Sequence, residues 1–270
     1  MAERFVVQAI AYRAGLILAG IFSFVLLLAP AATTVRSTDT VDIALVLALD
    51  VSGSVNAYEY ALQRDGLSAA FRDPEVLAAI NLGQRRRIAV VVVQWAGVGK
   101  QLITVPWKIV GDRESAWAFS DDIKAMPRIF INGETHISGI IEFATKTVLR
   151  APTAAARYVI DISGDGMDNV GYAPDFARNR ALKSGVTING LAILNETPRL
   201  LEYYHHRVIG GPNAFVIKAN RYEDYAEAIR KKLIREISQH LLSQQWFDSP
   251  ILKARGYPFA ESIAQRAHIS

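Results

Sequence analysis

The sequence predicts an α/β fold: a doubly wound, mostly parallel six-stranded sheet with one antiparallel edge strand and helices on both faces. Two observations lead to this class. Apolar runs without polar alternation, such as residues 43–49 and 88–95, are typical of strands buried on both faces of a parallel sheet. Amphipathic segments of helical length separate most of these runs, which is the alternation of βαβ units.

The expected elements follow one another along the chain. The predicted strands are residues 43–49, 88–95, 102–105, 157–162, 186–194 and 214–217. The predicted helices are residues 56–71, 112–126, 138–149, 175–183, 199–207 and 222–242, and Asp73-Pro74 starts a further turn. A parallel crossover needs about a dozen residues, so the short connection 96–100 makes the third strand antiparallel to the second, with Pro106 at the edge. In the strand order 3-2-1-4-5-6, the switch point lies between strands one and four.

The last predicted helix has an apolar face and a basic second half. Its apolar face includes Tyr225, Ile229, Leu233 and Ile237. Its basic residues are Arg230, Lys231, Lys232 and Arg235. We expect these cations to favour the negative end of the helix dipole.

Composition limits the classes of function. The chain has 270 residues, of which 51% are hydrophobic, enough for a sizeable core. Its net charge of +4 is small for this length and does not indicate nucleic-acid binding. It contains no cysteine, which excludes disulfides, thiolate nucleophiles and zinc–thiolate sites.

The N-terminus has the pattern of a signal peptide, residues 1–31. Arg4 and Arg13 precede an apolar run, residues 14–29, and an Ala-Pro-Ala sequence at 29–31 fits a cleavage site. An uncleaved anchor is the alternative, although the run is shorter than the roughly 18–20 residues that span a bilayer as a helix. We therefore expect a periplasmic or secreted protein, or one anchored in the inner membrane by residues 14–29.

The rest of the chain divides into three parts. Residues 32–40 form a linker, residues 41–242 a single α/β domain, and residues 243–270 a C-terminal extension. The extension contains scattered aromatic residues and a Gly-Tyr-Pro break, and these features indicate no role for it.

Two acidic loops follow central strands. Asp50, Ser52 and Ser54 place three oxygen atoms directly after the first strand, and Asp165 lies in a loop after the fourth. Open α/β sheets bind ligands at the C-terminal ends of their strands, so Asp50 and Asp165 should face each other across a crevice that Thr135 can enter from a neighbouring loop. Because Ser and Asp are also preferred N-caps, Asp50 and the serines could equally cap the helix that follows.

These loops resemble the metal-ion-dependent adhesion site of the von Willebrand factor A-type (VWA) domain. The resemblance rests on Asp-Val-Ser-Gly-Ser at 50–54, Gly-Glu-Thr at 133–135 and Asp-Gly at 165–166, and it covers roughly residues 41–242. The chain also looks like exported bacterial VWA-like proteins of unknown function. One departure is Ser-Gly-Asp-Gly at 163–166, where Thr-Asp-Gly is commoner.

The resemblance implies a Rossmann-like fold and a set of metal ligands. Ser52, Ser54 and Thr135 would be hydroxyl ligands, and Asp50 and Asp165 would act directly or through water. Mg²⁺ (or Mn²⁺) prefers six oxygen ligands, and this set suits it. Carboxylates that act through water leave the ion under-neutralised, so a partner protein's Asp or Glu carboxylate could complete its shell. The predicted function is an exported, metal-dependent protein-binding module without catalytic residues.

Two other functions are consistent with the same residues. One is a metal-dependent phosphohydrolase with Asp50 as nucleophile, which would need an acid/base partner. Ser52 stands where a second Asp would serve, and His136 is the one histidine near either acidic loop. The other is a VWA-like fold whose metal site is not functional. An EF-hand starting at Asp161 is disfavoured, because Tyr172 occupies the position of the bidentate Glu.

Overall fold

The computed structural model describes residues 40–195 and 197–239. The predicted signal segment 1–31, most of the linker 32–40, the end of the last predicted helix and the extension 243–270 lie outside the described residues. Within the described part of the chain, no helix has the length and apolar character needed to cross a membrane.

A six-stranded sheet forms the centre of the domain. Its strands are β1 (Val41–Asp50), β2 (Ile88–Trp95), β3 (Gln101–Val110), β4 (Ala155–Gly164), β5 (Val186–Ile193) and β6 (Val216–Ala219). They lie in the order β3-β2-β1-β4-β5-β6, and only the β2–β3 pair is antiparallel. This confirms the predicted fold class and the switch point between β1 and β4.

Helices cover both faces of the sheet. They are α1 (Ala57–Ala70), α2 (Pro74–Asn81), α3 (Arg113–Ala125), α4 (Ile137–Val148), α5 (Pro174–Lys183), α6 (Leu200–Tyr203) and α7 (Tyr225–Ser238). Successive residues of β1 point to opposite faces, so Leu45 packs in the core beneath α1, α2, α3 and α7, while Val46 packs in the core beneath α4 and α5. Both faces of β1 are thus buried, as its unbroken apolar run indicates.

The edge strands differ from the prediction. Residues 102–105 were expected to form the third strand, but β3 extends to Val110, and β6 begins two residues later than expected. Pro106 lies inside β3, where the register changes: Val90 pairs with Lys108 and Val92 with Val105, so β3 carries an extra residue. Proline is tolerated there because β3 is an edge strand and the extra residue interrupts the ladder.

Three helical segments also differ. Asp73-Pro74 begins a full helix, α2, because Asp73 accepts the N–H of Glu75 at 2.7 Å and Pro74 suits the first helical turn. The helix expected at 199–207 is α6 followed by a π-helical turn, Tyr204–Val208. The last helix is preceded by a 3₁₀ turn, Tyr222–Asp224.

One of the four basic residues in the second half of the last helix, Lys232, lies in the interior. Lys232 is fully buried, and its Nζ lies 2.7 Å from Asp161 Oδ2 and 2.9 Å from Glu236 Oε2. Asn189 donates to Glu236 Oε1 at 2.6 Å. We call Asp161, Lys232 and Glu236 the interior ion cluster. It joins α7 to β4, and it assigns Asp161 an internal ion pair in place of an EF-hand ligand role.

Candidate metal centre

The candidate site lies where β1 and β4 end. These strands are adjacent and parallel, with Leu49 opposite Ser163, so the loops that follow them start side by side. Asp50 is the last residue of β1, and Asp165 directly follows β4. The topology therefore produces the juxtaposition of the two acidic loops that the strand order predicts.

The structure brings all five predicted ligands together. The N–H of Ser52 donates to Asp50 Oδ1 at 2.7 Å. The Ser52 and Ser54 hydroxyl oxygens are 3.3 Å apart, and Ser54 donates to Asp165 Oδ1 at 2.9 Å. The Thr135 hydroxyl lies 3.5 Å from Ser52 Oγ. Two carboxylates and three hydroxyls thus form one continuous polar cluster.

Helix capping does not account for Asp50, Ser52 and Ser54. The N-cap of α1 is Asn56, whose side chain accepts the N–H groups of Tyr58 and Glu59. The alternative drawn from the sequence is therefore wrong for this helix.

Hydrogen bonds from a neighbouring loop fix the backbone of residues 51–53. The guanidinium of Arg128 donates to the carbonyls of Val51 and Ser52 at 3.1 and 3.0 Å. The N–H of Gly53 donates to the carbonyl of Gly133 at 2.9 Å. This places the serine hydroxyls against the loop that carries Thr135.

Two residues that the sequence analysis missed hold Thr135 in place. Asn169 accepts the Thr135 N–H at 2.9 Å, and its own N–H donates to the Thr135 carbonyl at 3.1 Å. Asp168 accepts the N–H groups of Ile137 and Ser138 at 2.5 and 3.3 Å. It therefore caps the N-terminus of α4, although it lies about 30 residues away in the chain. The sequence signal was a pair of cap-forming residues, Asp-Asn, shortly after the second acidic loop.

The electrostatics of the two carboxylates are unfavourable without a counter-ion. Asp50 is fully buried, and its burial, followed by the negative charge of Asp165, raises its pKa to about 7. No lysine or arginine in the described part of the chain forms an ion pair with either carboxylate. Asp50 Oδ2 has no hydrogen-bond partner among the described residues. An unpartnered buried oxygen beside a second carboxylate and three hydroxyls fits a hard divalent cation.

Two buried tyrosines, Tyr204 and Tyr222, lie near these carboxylates. The Tyr204 hydroxyl has no hydrogen-bond partner among the described residues, and the Tyr222 hydroxyl lies beside Asp165. Burial first, and then the negative charges of Asp50 and Asp165, raise both tyrosine pKa values, so both remain protonated phenols. No spacing rule in the sequence connects them to the acidic loops.

The donor set differs from one built on histidine or on several carboxylates. Within the described residues, no group of three or more His, Cys, Asp or Glu side chains is placed to hold a metal. The candidate centre has two carboxylates and three hydroxyl oxygens, a donor set of hard oxygen atoms only.

Solved structures with the same fold include VWA domains. A mussel byssus protein, proximal thread matrix protein 1, whose structure is described as having a zinc-occupied MIDAS motif, is 16% identical with a TM-score of 0.56, covering 74% of this chain and 48% of that one. The pilus adhesin SpaC from Lactobacillus rhamnosus GG is 14% identical with a TM-score of 0.54, covering 74% and 31%. A von Willebrand factor type A protein from Catenulispora acidiphila is 16% identical with a TM-score of 0.51, covering 73% and 43%.

These comparisons establish a VWA-like fold. The chain spans about half or less of the length of these three proteins. By sequence it belongs to the family described as "Protein of unknown function (DUF1194)", whose profile matches residues 40–241. No curated protein matches the chain.

Proposed function

We propose that this protein binds a divalent cation, Mg²⁺ or Mn²⁺, and uses it to hold a carboxylate of a protein partner. The ligands would be Asp50, Ser52, Ser54, Thr135 and Asp165. The observation that carries the proposal is the fully buried Asp50, whose Oδ2 lacks a partner and whose loop belongs to the cluster formed by Asp165 and three hydroxyls. A cation bound by these groups removes the repulsion between the carboxylates.

An outside ligand has access to this site. Ser54 is exposed although Asp50, Ser52 and Thr135 are buried, so the site opens on one side. Neutral hydroxyls add no charge, and a carboxylate that acts through water neutralises the ion less than a direct one. A partner's Asp or Glu can then occupy a remaining position. The zinc-occupied motif of the mussel protein and the adhesin role of SpaC support this proposal by analogy of fold.

The surroundings favour a protein partner. Beside the site, Val98 and Ile131 are 63% and 74% exposed. Lys100 donates to the carbonyl of Asn132, and neither Lys100 nor Arg128 pairs with a carboxylate in the described part of the chain. Exposed apolar side chains next to two such cations complement a protein surface that carries acidic and apolar residues.

The proposal includes no reaction. The ring of His136 packs against Gly139 and Gly171, where added Cβ atoms would meet it at 2.4 Å. In the described part of the chain, His136 makes no hydrogen bond to Asp50. Asp50 as the nucleophile of a phosphohydrolase would therefore lack its acid/base partner. We place the binding act outside the cytoplasm, in the periplasm, in the medium or at an inner-membrane anchor, from the pattern of residues 1–31.

Thermal unfolding of the full chain in EDTA and then in Mg²⁺ or Mn²⁺ tests the proposal. A cation at 100 times its Kd stabilises the native state by about 2.7 kcal/mol, which raises Tm by roughly 5–10 °C for a domain of this size. Asp50→Ala should abolish the rise. The matched control is Asp112→Ala, which removes an aspartate that caps α3. It should lower Tm in both conditions and keep the rise. A wild-type protein with no rise in either metal contradicts the proposal.

A further inference from the structure

The hydroxyl group of Tyr204 lies close to Asp50 of the candidate metal centre. Tyr204 starts the π-helical turn after α6 and is fully buried. The turn is closed by the Ile209 N–H, which donates to the Tyr204 carbonyl at 3.0 Å. This five-residue spacing, instead of the usual four, changes the direction in which the chain presents its side chains.

Two glycines provide the space that Tyr204 occupies. A Cβ atom on Gly190 of β5 would lie 2.6 Å from Cδ1 of the Tyr204 ring. A Cβ atom on Gly164, the last residue of β4, would lie 2.7 Å from the Tyr204 hydroxyl oxygen. Real Cβ atoms do not approach other atoms so closely, so any other residue at either position would displace the tyrosine.

The hydroxyl and Asp50 lie on either side of the same small space. The position of the missing Gly164 Cβ is 2.7 Å from the Tyr204 oxygen and 3.0 Å from Asp50 Oδ2. Both oxygen atoms are buried without a hydrogen-bond partner among the described residues. A phenol donates and a carboxylate accepts, so each group supplies what the other lacks.

We propose that Tyr204 is a positioning residue of the candidate metal centre: its hydroxyl, unpartnered in the structure, turns to donate to Asp50 Oδ2 when this carboxylate binds the cation, and so fixes the orientation of the carboxylate. The proposal rests on the proposed function. A hydrogen bond to a buried carboxylate is charge-assisted and strong. Groups that orient a metal ligand change metal affinity about 10- to 100-fold when they are removed.

The first test is the Tyr204→Phe variant of the full chain, which removes one oxygen and keeps the ring. Calorimetric titration with Mn²⁺ should show a Kd about 10 times larger than that of the wild type. The free energy of unfolding in EDTA, measured with urea, should change much less than the free energy of Mn²⁺ binding. The control is Tyr158→Phe, because that hydroxyl accepts the Ala155 N–H at 3.4 Å near the start of β4, at the other end of the strand from Gly164. Its Mn²⁺ Kd should stay within about twofold of the wild-type value.

A second variant, Gly164→Ala, tests the shared space directly. The added methyl group should separate the hydroxyl from Asp50 and weaken Mn²⁺ binding. In the Tyr204→Phe background the same methyl group should weaken binding much less, because the interaction is already absent. This non-additivity supports the inference without depending on either single variant.

The outcomes separate the inference from the proposed function. If the wild type binds no Mn²⁺, the proposed function fails, and the inference fails with it. If the wild type binds Mn²⁺ but Tyr204→Phe binds it equally well, only the inference is overturned. An affinity loss that is fully matched by lost stability in EDTA, or additive effects of the two substitutions, also overturns it.

Discussion

The domain contains two groups of buried carboxylates, and they differ in what neutralises them. In the interior ion cluster, Asp161 and Glu236 share the ammonium group of Lys232 at 2.7 and 2.9 Å. In the candidate metal centre, Asp50 and Asp165 lie together, and the described part of the chain supplies no cation. One group therefore carries its own positive charge, and the other has none among the described residues.

The contrast matters because burial makes an uncompensated charge expensive. Burial also raises the pKa of both Asp50 and Asp161 to about 7. For Asp161 the charge of Lys232 opposes this rise, whereas for Asp50 the nearest charge, that of Asp165, adds to it. A lysine inside the fold would have been a simple solution at Asp50 as well. Among the described residues, however, no lysine forms an ion pair with Asp50.

The largest effect is expected from Lys232→Met, which removes the cation of the interior ion cluster. Asp161 and Glu236 would then be buried without a counter-charge, and the free energy of unfolding should fall by about 3–5 kcal/mol. Urea unfolding monitored by circular dichroism measures this. Adding Asp161→Asn and Glu236→Gln to Lys232→Met should recover most of the loss, since no buried charge remains. A loss below about 1 kcal/mol in the single variant would contradict the assigned role of Lys232.

Asp50→Asn should raise the free energy of unfolding in the absence of metal, whereas Lys232→Met lowers it. The amide keeps an acceptor for the Ser52 N–H, which Asp50 Oδ1 now accepts at 2.7 Å, but removes the charge next to Asp165. One pKa unit corresponds to 1.36 kcal/mol, so we expect a gain of about 1–4 kcal/mol at pH 8 in EDTA. The same variant should lose the stabilisation by Mg²⁺.

Urea unfolding with and without Mg²⁺ checks both parts of this prediction for Asp50→Asn. A variant that is less stable than the wild type in EDTA would show that the carboxylate is already compensated within the protein.

The pH dependence of stability should also separate the two groups. The folded-state pKa of about 7 for Asp50 lies above its ordinary value of 3.8, so the folded protein binds more protons between these values. Stability in EDTA should therefore fall as pH rises from about 4 to about 7, with at most about 1.4 kcal/mol per pH unit from one group. Saturating Mg²⁺ should remove the contribution of Asp50 to this pH dependence and leave the contribution of Asp161.

Unfolding free energies at intervals between pH 4 and 8, for the wild type and Asp50→Asn, measure these contributions. Identical slopes for the two proteins in EDTA would mean that Asp50 ionises normally.

The sequence predicted the central sheet well because its signals are local. The apolar runs of β1 and β2 and the acidic loops at Asp50 and Asp165 can each be read within about ten residues. The edges were less accurate: Pro106 suggested an early end to β3, whereas the irregular register at the edge accommodates it. Edge strands depend on one neighbour only, so their limits follow from pairing more than from composition.

The residues that support the site could not be predicted in the same way. Tyr204 fits near Asp50 only because Gly164 and Gly190 leave space for its ring and hydroxyl, and this depends on elements far apart in the sequence. For Lys232 a signal did exist. It follows Ile229 by three residues and precedes Glu236 by four, so the helical period places it beside the apolar face. Its buried partner Asp161, on another element, could not be identified from that period.

The smallest effect is expected from Arg230→Ala, which removes the centre of a surface ion group on α7. The Arg230 guanidinium pairs with Glu227 at 3.0 Å and with Glu75 at 2.6 Å. Its side chain is 25% exposed, and those of Glu227 and Glu75 are about half exposed, so solvent already screens these charges. The free energy of unfolding should fall by less than about 1 kcal/mol, and 1 M NaCl should reduce the difference.

Urea unfolding of Arg230→Ala and Lys232→Met, at low salt and in 1 M NaCl, compares the exposed and the buried ion group of the same helix. Equal losses would show that burial does not distinguish the two ion groups, and the argument for a metal beside Asp50 would weaken accordingly.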